Sequence, residues 1–283
     1  AGGTVVGRGR RSRRRAHRPA VDGGWGDAHH GPARRQAVRP QGDHSTGAIV
    51  SKRKKKPQGP LPMLVSDGLS KSYGEAQALA PLDLEVARGE SVVLVGHNGS
   101  GKTTFLRLVA GLLDPTEGDA EIDGNFSGTL EARALTSFLP DEPVLYDDLS
   151  VREHIDYLGR LHGTQGYGDA EADEVERLGL TDRVDDLPAR FSRGLRQKTA
   201  LAIGLTRPFE LLLIDEPFVG LDLSGRSALV ELLDERHAAG ATLVVATHDP
   251  NYVDQAERCI ALRQGEVIFD GDAAAADVLA LVS

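Results

Sequence analysis

The stretch "SVVLVGHNGSGKTTFLRLVAGLL", residues 91–113, decides the fold. "SVVLVG" is a short apolar run ending at a glycine, which predicts a buried strand. "KTTFLRLVAGLL" predicts a helix. Between them "GHNGSGKTT", 96–104, satisfies G-x-x-x-x-G-K-[ST] in the strand–loop–helix context that this motif requires. Gly96, Gly99 and Gly101 let the backbone wrap closely around phosphate oxygens. The N–H groups of 99–104, including those of Ser100 and Thr104, would point inward at a helix start, where the dipole favours anions. Lys102 would reach the β- and γ-phosphates, and Thr103 would give its hydroxyl to Mg²⁺. His97 and Asn98 shape the loop, with Asn98 counted among the nucleotide-binding positions. The competing reading is a glycine turn that binds nothing; the flanking strand and helix favour the phosphate site.

About 110 residues later comes "LLLIDEP", 211–217, a buried strand ending in two carboxylates. Asp215 at the strand end suits a Mg²⁺ shell, directly or through water. Glu216, one step further, is placed to polarise an attacking water. Alone this pair is a weak signal, because strands often end in acids. After a phosphate loop it is a strong one.

Working outward, "LVSDGLSKSY", "LDLEV" and "ATLVVAT" read as strands, and "DAEID" (119–123) alternates like an edge strand. Residues 150–163 and 170–180 read as helices. "SGRSALVELLDERHAAG" predicts an amphipathic helix capped by Ser224, with Leu229, Leu232 and Leu233 inward and Gly240 ending it. "IALRQGEVIFDG" predicts a hairpin turning at Gln264-Gly265. Strands alternating with helices imply an α/β sheet, largely parallel.

With these motifs in place, the chain resembles the nucleotide-binding subunit of an ABC transporter over about 64–272. The resemblance implies a P-loop NTPase core with a largely parallel sheet, an antiparallel β subdomain and a helical subdomain at about 145–205, all within an ATPase domain spanning 63–283. It puts Tyr73 of "KSYG" where the family stacks an aromatic on adenine. "GLD" (220–222) matches its D-loop, with Asp222 at a dimer interface. "ATHD" (246–249) puts His248 where the family's switch histidine contacts the γ-phosphate.

Two departures stand out. "FLPDEP" has Asp141 where the family's Q-loop has Gln; it is either a Mg²⁺ ligand or a turn residue beside Pro140. "FSRGLRQK" (191–198) replaces L-S-G-G-Q. Ser192 retains the hydroxyl and a helix cap, and Gly194 retains the close backbone approach. Arg193 and Leu195 replace residues whose side chains matter less to that geometry. The stretch is similar to the "SRGMRQK" type of ABC-2-like exporters, which implies a working signature that closes on ATP held by a second subunit.

Charge divides the chain. Residues 1–62 hold 15 Lys and Arg against 3 Asp, with no hydrophobic period, which predicts a disordered leader. The only methionine is Met63, where patterning begins; the sequence-based expectation is that translation starts there and that 1–62 is not native. The remainder is acidic, at a net −21, which argues against nucleic acid as a partner. The single Cys259 excludes an intrachain disulfide and a cysteine-based zinc site. No apolar run nears the ~18 residues of a membrane span, and the start carries no apolar signal region. These features predict a cytoplasmic chain, and the resemblance implies that it sits peripherally on the inner face of the membrane through a separate membrane subunit. The expected cofactors are ATP and Mg²⁺, and the expected second partner is another copy or a paralogue. The competing function is a soluble or regulatory ATP-binding protein not coupled to transport.

Overall fold

The structure, a computed structural model, describes residues 61–277 and Leu281. The reading of 1–62 as a disordered leader therefore lies outside the described residues, apart from Leu61 and Pro62. Met63 is fully buried, and its N–H donates to the Val86 carbonyl at 2.9 Å.

In chain order the elements are β1 (Leu64–Tyr73), β2 (Ala76–Val86), β3 (Ser91–Val95), α1 (Lys102–Val109), β4 (Glu117–Ile122), β5 (Asn125–Phe126), α2 (Leu130–Leu135) and β6 (Thr136–Leu139). Then come α3 (Val151–Leu161), α4 (Asp169–Arg177), α5 (Arg193–Thr206), β7 (Leu211–Asp215), α6 (Leu223–Ala238), β8 (Thr242–Ala246), α7 (Pro250–Val253), β9 (Arg258–Arg263) and β10 (Glu266–Asp272). Two sheets result. A six-stranded sheet runs β10-β9-β3-β8-β7-β6, parallel except for the β9–β10 hairpin. A four-stranded antiparallel sheet runs β2-β1-β4-β5.

Every residue of β3, β7 and β8 is buried. Successive side chains of a strand face opposite ways, so each strand feeds two cores. Val93, Val95, Leu212, Ile214, Leu243 and Val245 join Ile155, Leu201, Leu229 and Leu232 on the side of α3, α5 and α6. Val92, Leu94, Leu211, Leu213 and Val244 join Phe105 and Leu106 of α1 and the antiparallel sheet on the other. Burial on both faces is the reason these strands read as continuous apolar runs.

Three sequence-based expectations are corrected. The 119–123 segment is not at an edge: β4 lies between β1 and the two-residue β5. Asp222, not Ser224, caps α6. Asp222 is extended and its carboxylate accepts from the Gly225 N–H at 3.1 Å, while Ser224 lies inside the helix and its hydroxyl donates back to Asp222. Helix α1 stops at Val109, short of the expected Leu113. The Gly111 and Leu112 N–H groups turn back to the Leu108 and Arg107 carbonyls, which closes the helix as a Schellman motif. The expected hairpin turn at Gln264-Gly265 has both residues at positive φ, 54° and 84°, the pairing of a two-residue turn that matches strand twist.

A candidate nucleotide site

The loop joining β3 to α1 lines a cavity of about 270 Å³, together with Ala78, Asp141, Asp215 and Glu216. Gly101 occupies the cap position of α1 at φ 110° and offers no side-chain acceptor. A Cβ there would meet the Ala78 carbonyl at 2.9 Å. Because no side chain caps α1, the N–H groups of its first turn are left to a ligand, and the positive end of the dipole faces the cavity. Lys102 is 6% exposed and folds back over the loop. Its Nζ donates to the Gly96 carbonyl at 2.7 Å and to that of His97 at 3.3 Å, and lies 3.7 Å from Glu216 Oε1.

β7 delivers two carboxylates with different environments. Asp215 is 1% exposed, and neither of its oxygens reaches a hydrogen-bond partner among the described residues. Desolvation raises its pKa, and the charge of Asp141 adds to the rise; the neighbouring Thr103 hydroxyl, Lys102 and Arg107 offset only part of it. A buried, orphaned carboxylate beside a threonine hydroxyl is the donor set that a hard cation takes. Among the described residues no cluster of three His, Cys, Asp or Glu side chains could hold a metal alone. Glu216 leaves the strand at φ 48°, a region costly to a residue with a side chain and one that recurs at functional sites. Its N–H donates to the Ala246 carbonyl at 2.8 Å. The Glu216 Oε2 accepts from His248 Nδ1 at 2.9 Å.

Of the sequence-predicted positions, Asn98, Gly99, Ser100, Gly101, Lys102, Thr103, Thr104, Asp141, Asp215 and Glu216 line this cavity. Gly96 joins through Lys102, and His248 through Glu216. Tyr73 does not line it; the ring is exposed at the end of β1 with the Lys71 ammonium 5.2 Å over its face. Ser192, Gly194 and Asp222 form a second group. The Ser192 hydroxyl caps α5, accepting from the Leu195 N–H at 3.3 Å. A Cβ on Gly194 would lie 2.5 Å from the Gly220 carbonyl. The Asp222 carboxylate pairs with Lys198 at 2.8 Å, which together with the Gly225 N–H holds it below the usual carboxylate range. A buried Gln197 amide donates to the Pro217 carbonyl at 3.4 Å. Thus α5 is fastened to the segment that follows Glu216.

Sequence reasoning missed two things. The left-handed backbone at Glu216 has no sequence signal, since acids are not excluded from strand ends. Arg193, read as a replacement of small consequence, reaches Asp141 at 3.5 Å across 52 residues of sequence. No local pattern announces such a pair.

The chain also matches known proteins along most of its described residues. A family model described as "ABC transporter" matches residues 79–219, and one described as an AAA domain matches 187–254. The SkfA peptide export ATP-binding protein SkfE of Bacillus subtilis is 32% identical over 74% of this chain and 89% of its own length. The linearmycin resistance ATP-binding protein LnrL of the same organism is 31% identical over 74% and 69%. The aliphatic sulfonates import ATP-binding protein SsuB of Burkholderia ambifaria is 37% identical over 81% and 70%. Among solved structures, an ATP-binding subunit of an ABC transporter superposes with a TM-score of 0.68 at 31% identity, covering 74% of this chain and 90% of that one. A dimeric ATP-binding cassette in a post-hydrolysis state, bound to ADP and Pi, gives 0.68 at 28% identity over 75% and 99%.

Proposed function

Because this chain belongs to the ATP-binding subunits of ABC transporters, and is an ATPase whose hydrolysis powers transport, we propose that it drives an exporter through ATP-dependent pairing of two cassettes on separate membrane subunits. The observation that carries this reading is the convergence of Lys102, Asp215 and Glu216 on one loop-lined cavity. Export is favoured by the exporter flavour of "SRGLRQK" and by the relatives named for peptide export and linearmycin resistance. Among the described residues no helix is long and apolar enough to cross a membrane, so the reading supplies a membrane subunit as partner and the inner membrane face as location.

In this mechanism the loop 96–104 and the start of α1 bind the polyphosphate. Lys102 exchanges its two carbonyl partners for the β- and γ-phosphates. Tyr73 stacks on adenine. Thr103 and Asp215 would hold Mg²⁺, which would supply charge neutralisation on the phosphates. Glu216 orients the attacking water through its carboxylate, and His248 steadies that carboxylate and the γ-phosphate. Ser192 and Gly194 of one copy close on the nucleotide of the other, and Asp222 lines the same interface.

Co-purification with a candidate membrane subunit, followed by ATPase assays with and without candidate substrates, tests the reading. Stimulation of turnover by an exported compound is expected. Turnover indifferent to every membrane partner would point instead to an ATPase uncoupled from transport.

A further inference from the structure

Two arginines sit one turn apart at the start of α5, Arg193 at its first position and Arg196 three residues on. A cation at a helix N-terminus opposes the dipole, and the first turn holds no acidic residue to offset it. The offset comes from elsewhere. Both arginines face the 140–149 segment that joins β6 to α3. Arg193 Nη2 lies 3.5 Å from Asp141 Oδ1, and Arg196 Nη1 lies 3.9 Å from Asp147 Oδ1. That segment is also tied to α3: buried His154 accepts the Tyr146 N–H at 2.9 Å. Asp141 is at once a partner of Arg193 and part of the cavity lining that contains Asp215 and Glu216. Asp141 and Arg193, one from each of the two departures from the family pattern, are therefore in contact with each other.

Exposed pairs of this kind add little to global stability. Their consequence is local. With Asp215 and Glu216 the cavity already holds two carboxylates facing a polyanionic ligand, and among the described residues Lys102 is the only lysine or arginine in its lining. We propose that Arg193 is a positioning residue of its own subunit's nucleotide cleft: it holds Asp141 and offsets its charge, with Arg196–Asp147 as a second tie, so that Asp141 does not repel the phosphates. This assigns Asp141 to Arg193 and not to Mg²⁺. It rests on the ATP site proposed above.

The test is equilibrium binding of ATP to the full chain by a fluorescent analogue, with and without Mg²⁺, for wild type, R193A, R193K, D141N and R193A/D141N. R193A should weaken binding about fivefold at low salt and more without Mg²⁺, when the nucleotide carries more charge. The loss should shrink below twofold at high salt, and R193K should stay within about twofold of wild type. The double variant should match D141N alone. Unchanged binding in R193A, or losses that multiply in the double variant, would overturn the proposal. So would a D141N loss confined to Mg²⁺ conditions and indifferent to Arg193, which would return Asp141 to the metal. A wild-type chain that binds no ATP would instead overturn the site itself, and this proposal with it.

Discussion

Glu216 and His248, 32 residues apart in sequence, share a 2.9 Å hydrogen bond between Oε2 and Nδ1. The carboxylate can only accept, so Nδ1 carries the proton, and the two groups proposed for the hydrolytic step orient one another. Glu216→Gln is expected to keep ATP binding and to lower turnover by about 10²-fold or more. Nucleotide affinity measured beside steady-state ATPase rate checks this. Normal turnover in the variant would move the base elsewhere.

Lys102→Ala should behave in the opposite way. Its ammonium is buried and already gathered over the loop by the Gly96 and His97 carbonyls, poised for phosphate. Binding should fall more than about tenfold, because a charge-assisted contact in a poorly solvated pocket is lost. Titration calorimetry reads the change, and retained affinity would place the phosphates outside this loop.

Asp215→Asn is expected to stabilise the nucleotide-free protein at neutral pH. The buried Asp215 is raised above its unfolded value, so folding favours its protonated form. Stability from this group is present below the unfolded carboxylate range and is lost as pH rises through the folded value. Removing the charge should raise stability by about 1–2 kcal/mol at pH 7, or roughly 2–8 °C in Tm for a domain of this size. The gain should vanish on acidification, and Mg²⁺-dependent affinity should fall. A lower Tm at pH 7 would contradict the orphaned state of this carboxylate.

Gly194→Ala tests a contact within one subunit. Its Cβ would sit 2.5 Å from the Gly220 carbonyl, a backbone atom that cannot rotate away. A loss of about 1–3 kcal/mol is expected, seen as a lower Tm without nucleotide. Gly194→Asp should in addition abolish hydrolysis, by placing a carboxylate where the opposing phosphates close. Wild-type Tm in Gly194→Ala would mean that α5 yields at this point.

Dimerisation follows from the split site. Glu216→Gln with ATP–Mg²⁺ should double in mass by light scattering, whereas the nucleotide-free chain should not. An unchanged mass would favour a paralogue as the second cassette.

Much of this was legible in the sequence, for stated reasons. Residues 91–104 and 211–216 carry local signals, because a strand buried on both faces and a phosphate loop each dictate neighbouring residue types. The helix face Leu229, Leu232 and Leu233 was readable from periodicity. Its cap was not, because Asp222 and Ser224 are both good cap residues and the choice depends on where the chain leaves Gly220. Long-range pairs such as Arg193–Asp141 and Lys198–Asp222 were invisible, since charges on exposed positions look alike until the fold brings two of them together.

Gln197 on the Pro217 carbonyl, Lys198 on Asp222 and Gly194 against Gly220 join α5 to residues 217–222 at three points. That segment begins one residue after Glu216. Linked equilibria are reciprocal. A molecule that binds more tightly to one arrangement of the Ser192 end therefore biases the arrangement of Glu216, and occupancy near Glu216 biases what the Ser192 end will accept by the same free energy. In a pair of such chains, each reading its neighbour through Ser192, the two clefts could not keep independent clocks.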